Sequence, residues 1–124
     1  MRRRAHRAYR LFPFLERAIY FPVQIIAPRT LRRFWEGHPQ AEMSLRTWYA
    51  MAASAAWEGP ADVKQQFGAS VDFIADNRQI FDIGGNRFRL VVHVAYRFQR
   101  VLVKFIGTHA EYDRIDPATT GTRA

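Results

Sequence analysis

The 124-residue chain is 48% hydrophobic and 15% aromatic, which suits one folded domain and excludes wholesale disorder. It has no cysteine, so disulfides and thiolate metal sites are excluded, and the composition fits a reducing, cytoplasmic setting. The formal net charge is +8, but six arginines and one glutamate before Val23 supply five of those charges; the remaining +3 makes bulk charge a weak argument for nucleic acid.

Residues 1–22 read MRRRAHRAYRLFPFLERAIYFP. A basic start and an apolar stretch resemble a signal or anchor, but Pro13, Glu16, Arg17 and Pro22 leave that stretch too short and too charged to span a bilayer. No small-residue cleavage site follows. The segment is read as a basic extension ahead of the domain, of the kind a mis-assigned start codon also produces.

From Val23 the pattern becomes regular. Residues 23–27 read as a short apolar strand, and Pro28 suits the first turn of a helix whose buried stripe is Leu31, Phe34 and Trp35. Gly37-His38-Pro39 ends that helix. A longer helix is expected over 40–57, with Ala41, Leu45, Trp48, Ala52 and Ala55 on one face. After Gly59-Pro60, residues 61–67 read as one short helical turn. Four strands follow, at 71–75, 78–83, 88–96 and 100–107. The strand from Phe88 is the clearest: Phe88, Leu90, Val92, Val94 and Tyr96 alternate with Arg89, Val91, His93, Ala95 and Arg97. Short connections at Asp76-Asn77, Gly84-Gly85-Asn86 and Phe98-Gln99 predict antiparallel neighbours. Residues 117–124 lack apolar periodicity and are expected to fray. The order β-α-α-β-β-β-β predicts an α+β domain, two N-terminal helices on one face of a curved, mainly antiparallel sheet.

The charge is one-sided. Arg78, Arg87, Arg89, Arg97, Arg100 and Lys104 fall among the strands, whereas Glu36, Glu42 and Glu58 fall on the helical half. A cationic sheet surface is what a phosphate backbone needs. The last strand runs into Gly107-Thr108-His109-Ala110-Glu111-Tyr112-Asp113, a cluster rich in titratable groups.

These residues carry a resemblance. Asp76-Asn77-Arg78, Gly85-Asn86, Phe88-Arg89-Leu90-Val91-Val92 and the GTHAEYD segment at 107–113 resemble the HigB toxins, a branch of the RelE/ParE-like superfamily of bacterial toxin–antitoxin modules. Leu31, Phe34-Trp35, His38-Pro39, Trp48-Tyr49, Pro60-Ala61-Asp62-Val63-Lys64 and Phe67 fit the same pattern, so the likeness runs over residues 23–116. It implies a RelE-like fold and an mRNA-cleaving endoribonuclease acting on transcripts under translation. It also implies a helix-turn-helix, HigA-like antitoxin partner, with DNA reached only through that antitoxin and no membrane partner. Two other readings share the fold: a ParE-like poison of gyrase that cleaves nothing, and an inactive RNA-binding relic.

Cleaving RNA without a metal needs a base for the 2′-OH, a cation for the phosphorane oxygens and an acid for the leaving 5′-oxygen. His109 is the leading acid or base, since imidazole titrates near neutrality; the alternative is a histidine that only caps a turn. Tyr112 is its companion, for stacking or proton transfer, or else a core tyrosine with a wet hydroxyl. Arg89 is the phosphate stabiliser, because its planar fork matches phosphate oxygens and related toxins carry an arginine in a matching Arg-Leu-Val run. Lys104 on the adjacent strand is the next cation. Arg78, Asn86, Arg87, His93 and Lys64 form the RNA-binding set; turn chemistry, surface charge, or (for His93) packing against a helix are the bland alternatives. His109, Glu111 and Asp113 would face one way if extended and could then ligate a divalent ion, but no second ligand cluster supports that, and no cofactor is expected.

Overall fold

A computed structural model describes residues 23–122. The expectations for residues 1–22 lie outside the described residues. Strand β1 (Gln24–Ile26) leads into helix α1 (Pro28–Gly37), helix α2 (Glu42–Ala53) and helix α3 (Pro60–Phe67). Strands β2 (Val71–Ile74), β3 (Arg78–Ile83), β4 (Phe88–Ala95) and β5 (Arg100–Thr108) follow, and a single helical turn, α4 (His109–Tyr112), closes the regular structure.

The five strands form one sheet in the order β1-β5-β4-β3-β2. The meander from β2 to β5 is antiparallel, as the short connections require, while β1 lies parallel to β5 with Ile25 opposite Val101. Asp76 and Asn77 both adopt positive φ, 62° and 56°, inside the three-residue connection that leaves Ile74 paired with Arg78. This is the α+β, RelE-like architecture expected from the sequence.

The core lies between the helices and one face of the sheet. Leu31 of α1, Leu45, Trp48 and Ala52 of α2 and Val63 of α3 meet Phe81, Ile83, Phe88, Leu90, Val92 and Val94, all buried. Rings interlock across this layer: Phe34 meets Phe88 edge-on at 5.5 Å, and Trp48 meets Phe81 at 5.4 Å.

Two helix expectations need correction. The long helix stops at Ala53, where the Ser54 hydroxyl turns back to the Ala50 carbonyl at 2.9 Å. Trp57, the expected end of that helix, is instead buried in the connection, its indole N–H donating to Gln66 Oε1 at 2.8 Å. Residues Pro60–Phe67 form a true helix, with Pro60 in its first turn. It has its own buried anchor, Val63, and Phe67 packs between Trp57 and Phe81. Three helices, not two, therefore cover the sheet. Among the described residues no helix is long and apolar enough to cross a membrane.

The opposite face carries Arg78, Ile80 and Asp82 of β3, which pair with His93, Val91 and Arg89 of β4. The chain after β5 returns onto this face. Arg78 Nη1 donates to the carbonyls of Pro117 at 2.9 Å and Thr120 at 2.7 Å, and Nη2 to Thr122 Oγ1 at 2.9 Å. Ile80 and Val91, which lie outside the helix-side core, are buried on this side. The segment expected to fray is thus bonded to the sheet as far as Thr122, because a buried guanidinium needs its oxygens.

Candidate active site

Arg89 sits on the open face of β4 with only 12% of its side chain exposed. Its guanidinium is held from two sides. Nε faces Asp82 Oδ1, on the cross-strand partner residue, at 3.3 Å. Nη2 donates to Asn86 Oδ1 at 2.6 Å, and Nη1 reaches the Phe88 carbonyl at 3.3 Å and that of Asn86 at 3.4 Å. The cation also lies 5.9 Å from the Tyr112 ring centroid. A cation fixed in this way is preorganised for an anionic ligand.

Across the β4–β5 ladder from Arg89 stands Gly107. A Cβ there would come within 2.5 Å of Phe105 Cζ and 2.9 Å of Glu111 Oε1. The missing side chain lets the Phe105 ring lie beside Arg89, where its centroid is 6.4 Å from that of Tyr112.

The turn that supplies Tyr112 is built by local chemistry. Thr108 Oγ1 accepts the Glu111 N–H at 3.1 Å, and Glu111 Oε1 accepts the Thr108 N–H at 2.8 Å, a complete capping box. The His109 N–H donates to the Arg87 carbonyl at 3.0 Å, tying the turn to the start of β4. His109 Nδ1 lies 3.3 Å from Asp113 Oδ2, which leaves Nε2 as the ring nitrogen open to a substrate. Burial pushes the Tyr112 phenol above its ordinary pKa; Asp72, Asp113 and Asp82 add to this, and Arg89 opposes it. The phenol is therefore protonated at neutral pH and equipped to donate.

The helical turn gives His109, Glu111 and Asp113 a geometry different from the extended one the metal alternative assumed. Glu111 is spent on the Thr108 N–H, and His109 and Asp113 sit one turn apart instead of alternating along a strand. Among the described residues no group of three His, Asp or Glu side chains converges as a metal site.

This arrangement of strand arginine, glycine gap and capped turn lies inside a match to a family model. The model describes a RelE-like toxic component of a toxin–antitoxin system and covers residues 41–115. The chain belongs to the HigB toxin family. The mRNA interferase toxin HigB of Escherichia coli K12 is 27% identical over 92 residues, 73% of this chain and 88% of the relative. A Shigella flexneri mRNA interferase HigB gives the same figures, and one from Escherichia coli O6:H1 is 27% identical over 79 residues, 63% and 77% of the two chains.

In this HigB-family chain the sequence candidates divide into four groups. Arg89, Tyr112 and Asn86 come together, His109 sits on the same capped turn as Tyr112, and exposed Arg87, whose carbonyl takes the His109 N–H, borders them. Lys104 and His93 lie farther along the same face, lining a separate cleft; His93 faces away from the helices, which removes its reading as a helix-packed histidine. Arg78 is 5% exposed and bound to the C-terminal segment, so its guanidinium is structural. Lys64 is exposed on α3, which packs on the opposite face of the sheet from Arg89.

Asp82, Thr108 and Gly107 were missed. Thr108-His109-Ala110-Glu111 has the Thr-x-x-Glu spacing of a capping box, so the turn was legible. Asp82 needed the hairpin register. Thr108→Ala should cost about 1 kcal/mol by removing the cap, whereas Thr108→Ser should retain most of that stability. Denaturant melts of the three proteins check this, and equal midpoints for Thr108→Ala and wild type would remove the capping box from the account.

His93 gives a stability prediction. Burial first, then Lys104 and Arg78, lower its pKa below the ordinary 6.5, with Asp76 opposing. The unfolded chain takes up a proton as pH falls through 6.5, while the folded chain resists it until a lower pH. Stability contributed by neutral His93 is therefore present above 6.5 and lost as pH falls through the folded pKa. His93→Asn should lose less stability than wild type between neutral and mildly acid pH. Parallel losses in urea melts would refute it.

Proposed function

We propose that this HigB-family protein is an endoribonuclease that cleaves mRNA, chiefly transcripts on the ribosome, and that residues 23–116 carry the activity. The observation that supports this most is a fixed arginine lying over a protonated phenol on the open sheet face, with an aspartate-paired imidazole on the same helical turn as that phenol. The relatives named mRNA interferases point the same way. In this reading His109 Nε2 takes the proton of a 2′-OH, and the 2′-oxygen attacks the adjacent phosphorus. Arg89 stabilises the charge on the phosphorane oxygens. Tyr112 gives its proton to the departing 5′-oxygen, leaving a 2′,3′-cyclic phosphate and a 5′-OH. A helix-turn-helix antitoxin is the proposed protein partner, and DNA is reached only through it.

The test is to map RNA ends after brief induction and to identify their chemistry. New ends within translated messages, with 5′-OH groups, are expected. Growth arrest with intact messages and trapped gyrase would sink the nuclease reading in favour of a ParE-like one. Metal is not needed in this scheme. Chelator should leave single-turnover cleavage within about twofold of the untreated rate, once ribosome integrity is controlled separately. Loss of cleavage that only a transition metal restores would overturn that part of the proposal.

A further inference from the structure

The second feature of the open face is a cleft of about 480 Å³, within the size range of ligand pockets. Its walls are Asp76, Asn77 and Arg78 from the β2–β3 hairpin, His93, Leu102 and Lys104 from β4 and β5, and Ala118 and Thr122 from the C-terminal segment. Lys104 reaches it through a break in the ladder. Val91 pairs with Phe105 but Val92 pairs with Val103, so Lys104 is the unpaired extra residue of a bulge. Bulges re-aim side chains, and this one puts Lys104 on the same face as Phe105.

The cleft is built rather than incidental. Gly121, at φ +76°, packs so closely on Lys104 that a Cβ would lie 2.8 Å from the Lys104 carbonyl oxygen. Arg78 is buried beneath the C-terminal segment with neutral oxygens as its partners, so its positive charge is not cancelled by an ion pair among the described residues. Lys104 and Arg78 are opposed at the cleft by one carboxylate, Asp76. The potential there favours an anion. His93, Asn77 and Thr122 supply hydrogen-bonding groups and Leu102 an apolar wall, the mixture that suits a nucleotide. Ala118 and Thr122 lie beyond the residues matched by the family model.

Arg89 and His93 are four residues apart on β4 and share a face, a separation of about 13 Å. A single strand with its phosphate at Arg89 reaches the cleft within roughly four nucleotides at stacked spacing. We propose that the cleft at Lys104, His93, Asn77 and Thr122 holds a nucleotide of the same RNA strand whose scissile phosphate lies at Arg89, and that Lys104 pairs with its phosphate. The proposal rests on the RNA-cleavage reading of Arg89 and deepens it.

The experiment uses the full chain and non-cleavable 2′-O-methyl RNA. The probes are a dinucleotide, too short to span both positions, and a single strand of about eight nucleotides. Binding is followed by fluorescence anisotropy across salt concentration. Lys104→Met should weaken the longer strand about tenfold, lower its salt slope by about 0.7 and leave the dinucleotide unchanged. Lys104→Arg, which keeps the charge, should restore both quantities and controls for folding. Arg33→Gln, an equal charge loss on exposed α1, is the control for net charge. If Lys104→Met matches Arg33→Gln, or binds the longer strand as wild type does, the cleft is not an RNA site. Loss of dinucleotide binding in Lys104→Met would make it a free-nucleotide site and would also overturn the continuous-strand proposal. Arg89→Ala separates the two readings. Weakening by Arg89→Ala alone overturns the cleft and keeps the cleavage site; weakening by Lys104→Met alone keeps an RNA cleft and overturns the cleavage reading at Arg89.

Discussion

Arg89→Ala should lower single-turnover cleavage of a ribosome-bound transcript by on the order of 10²-fold or more, the usual cost of removing an electrostatic donor from a preorganised site. The contacts of Arg89 bear on whether lysine can substitute. Arg89 uses Nε toward Asp82 and Nη2 toward Asn86, and both contacts aim the guanidinium. An ammonium has no planar fork to be clamped in this way, so Arg89→Lys should recover only part of the rate. Removing the cation also leaves Asp82, 33% exposed, without its partner, so stability must be measured alongside. Asp82→Asn serves as the comparison: it loosens the clamp but keeps the cation, and its rate should fall between wild type and Arg89→Ala. If folded Arg89→Ala cleaves within about twofold of wild type, the arginine is a structural sheet residue and the phosphate stabiliser lies elsewhere.

His109→Ala should cost roughly 10²- to 10⁴-fold, the reach of general acid–base catalysis. The pH profile discriminates more sharply than the rate. Wild type should show a pH-dependent limb that depends on His109, and His109→Ala should lack it. Tyr112, held above its ordinary pKa by burial, should still supply a limb on the alkaline side in both proteins. Asp113→Asn should have a smaller effect than His109→Ala, because the carboxylate orients Nδ1 and does not itself exchange a proton with RNA. Melting temperatures should barely change, since His109 is exposed and the cap that forms its turn is made by Thr108 and Glu111. A His109→Ala protein with wild-type rate and an unchanged pH profile would reduce His109 to a turn residue and move the base to another group.

The two outcomes together separate positioning from proton transfer. In the proposed mechanism Arg89 acts through charge at a fixed point, so its loss should lower the rate equally across pH. The same proposal has His109 act through its protonation state, so its loss should change the shape of the profile.

Much of this was determined by sequence alone. The alternation from Phe88 to Tyr96 assigned one face to the core and put Arg89 on the other, because side chains on a strand alternate with period two. The short connections dictated an antiparallel meander, and Asp76-Asn77 supplied residues that tolerate positive φ. Local rules failed where a long-range partner decided the outcome. The long helix was expected to run to Trp57, yet Trp57 is buried in a connection that Gln66 and Gln99 hold. The HAEY segment looked like a polar tail, yet its carboxylate and threonine fold it into a capped turn against β4. Arg78 looked like a surface charge, yet oxygens some forty residues later in the chain close over it. Only the tertiary structure brought Asp82 to Arg89, and only the bulge at Lys104 separated that lysine from the arginine it resembles in charge. Periodicity records which face a residue takes; it does not record cross-strand register, bulges or the path of the returning chain, and those decide which charges meet.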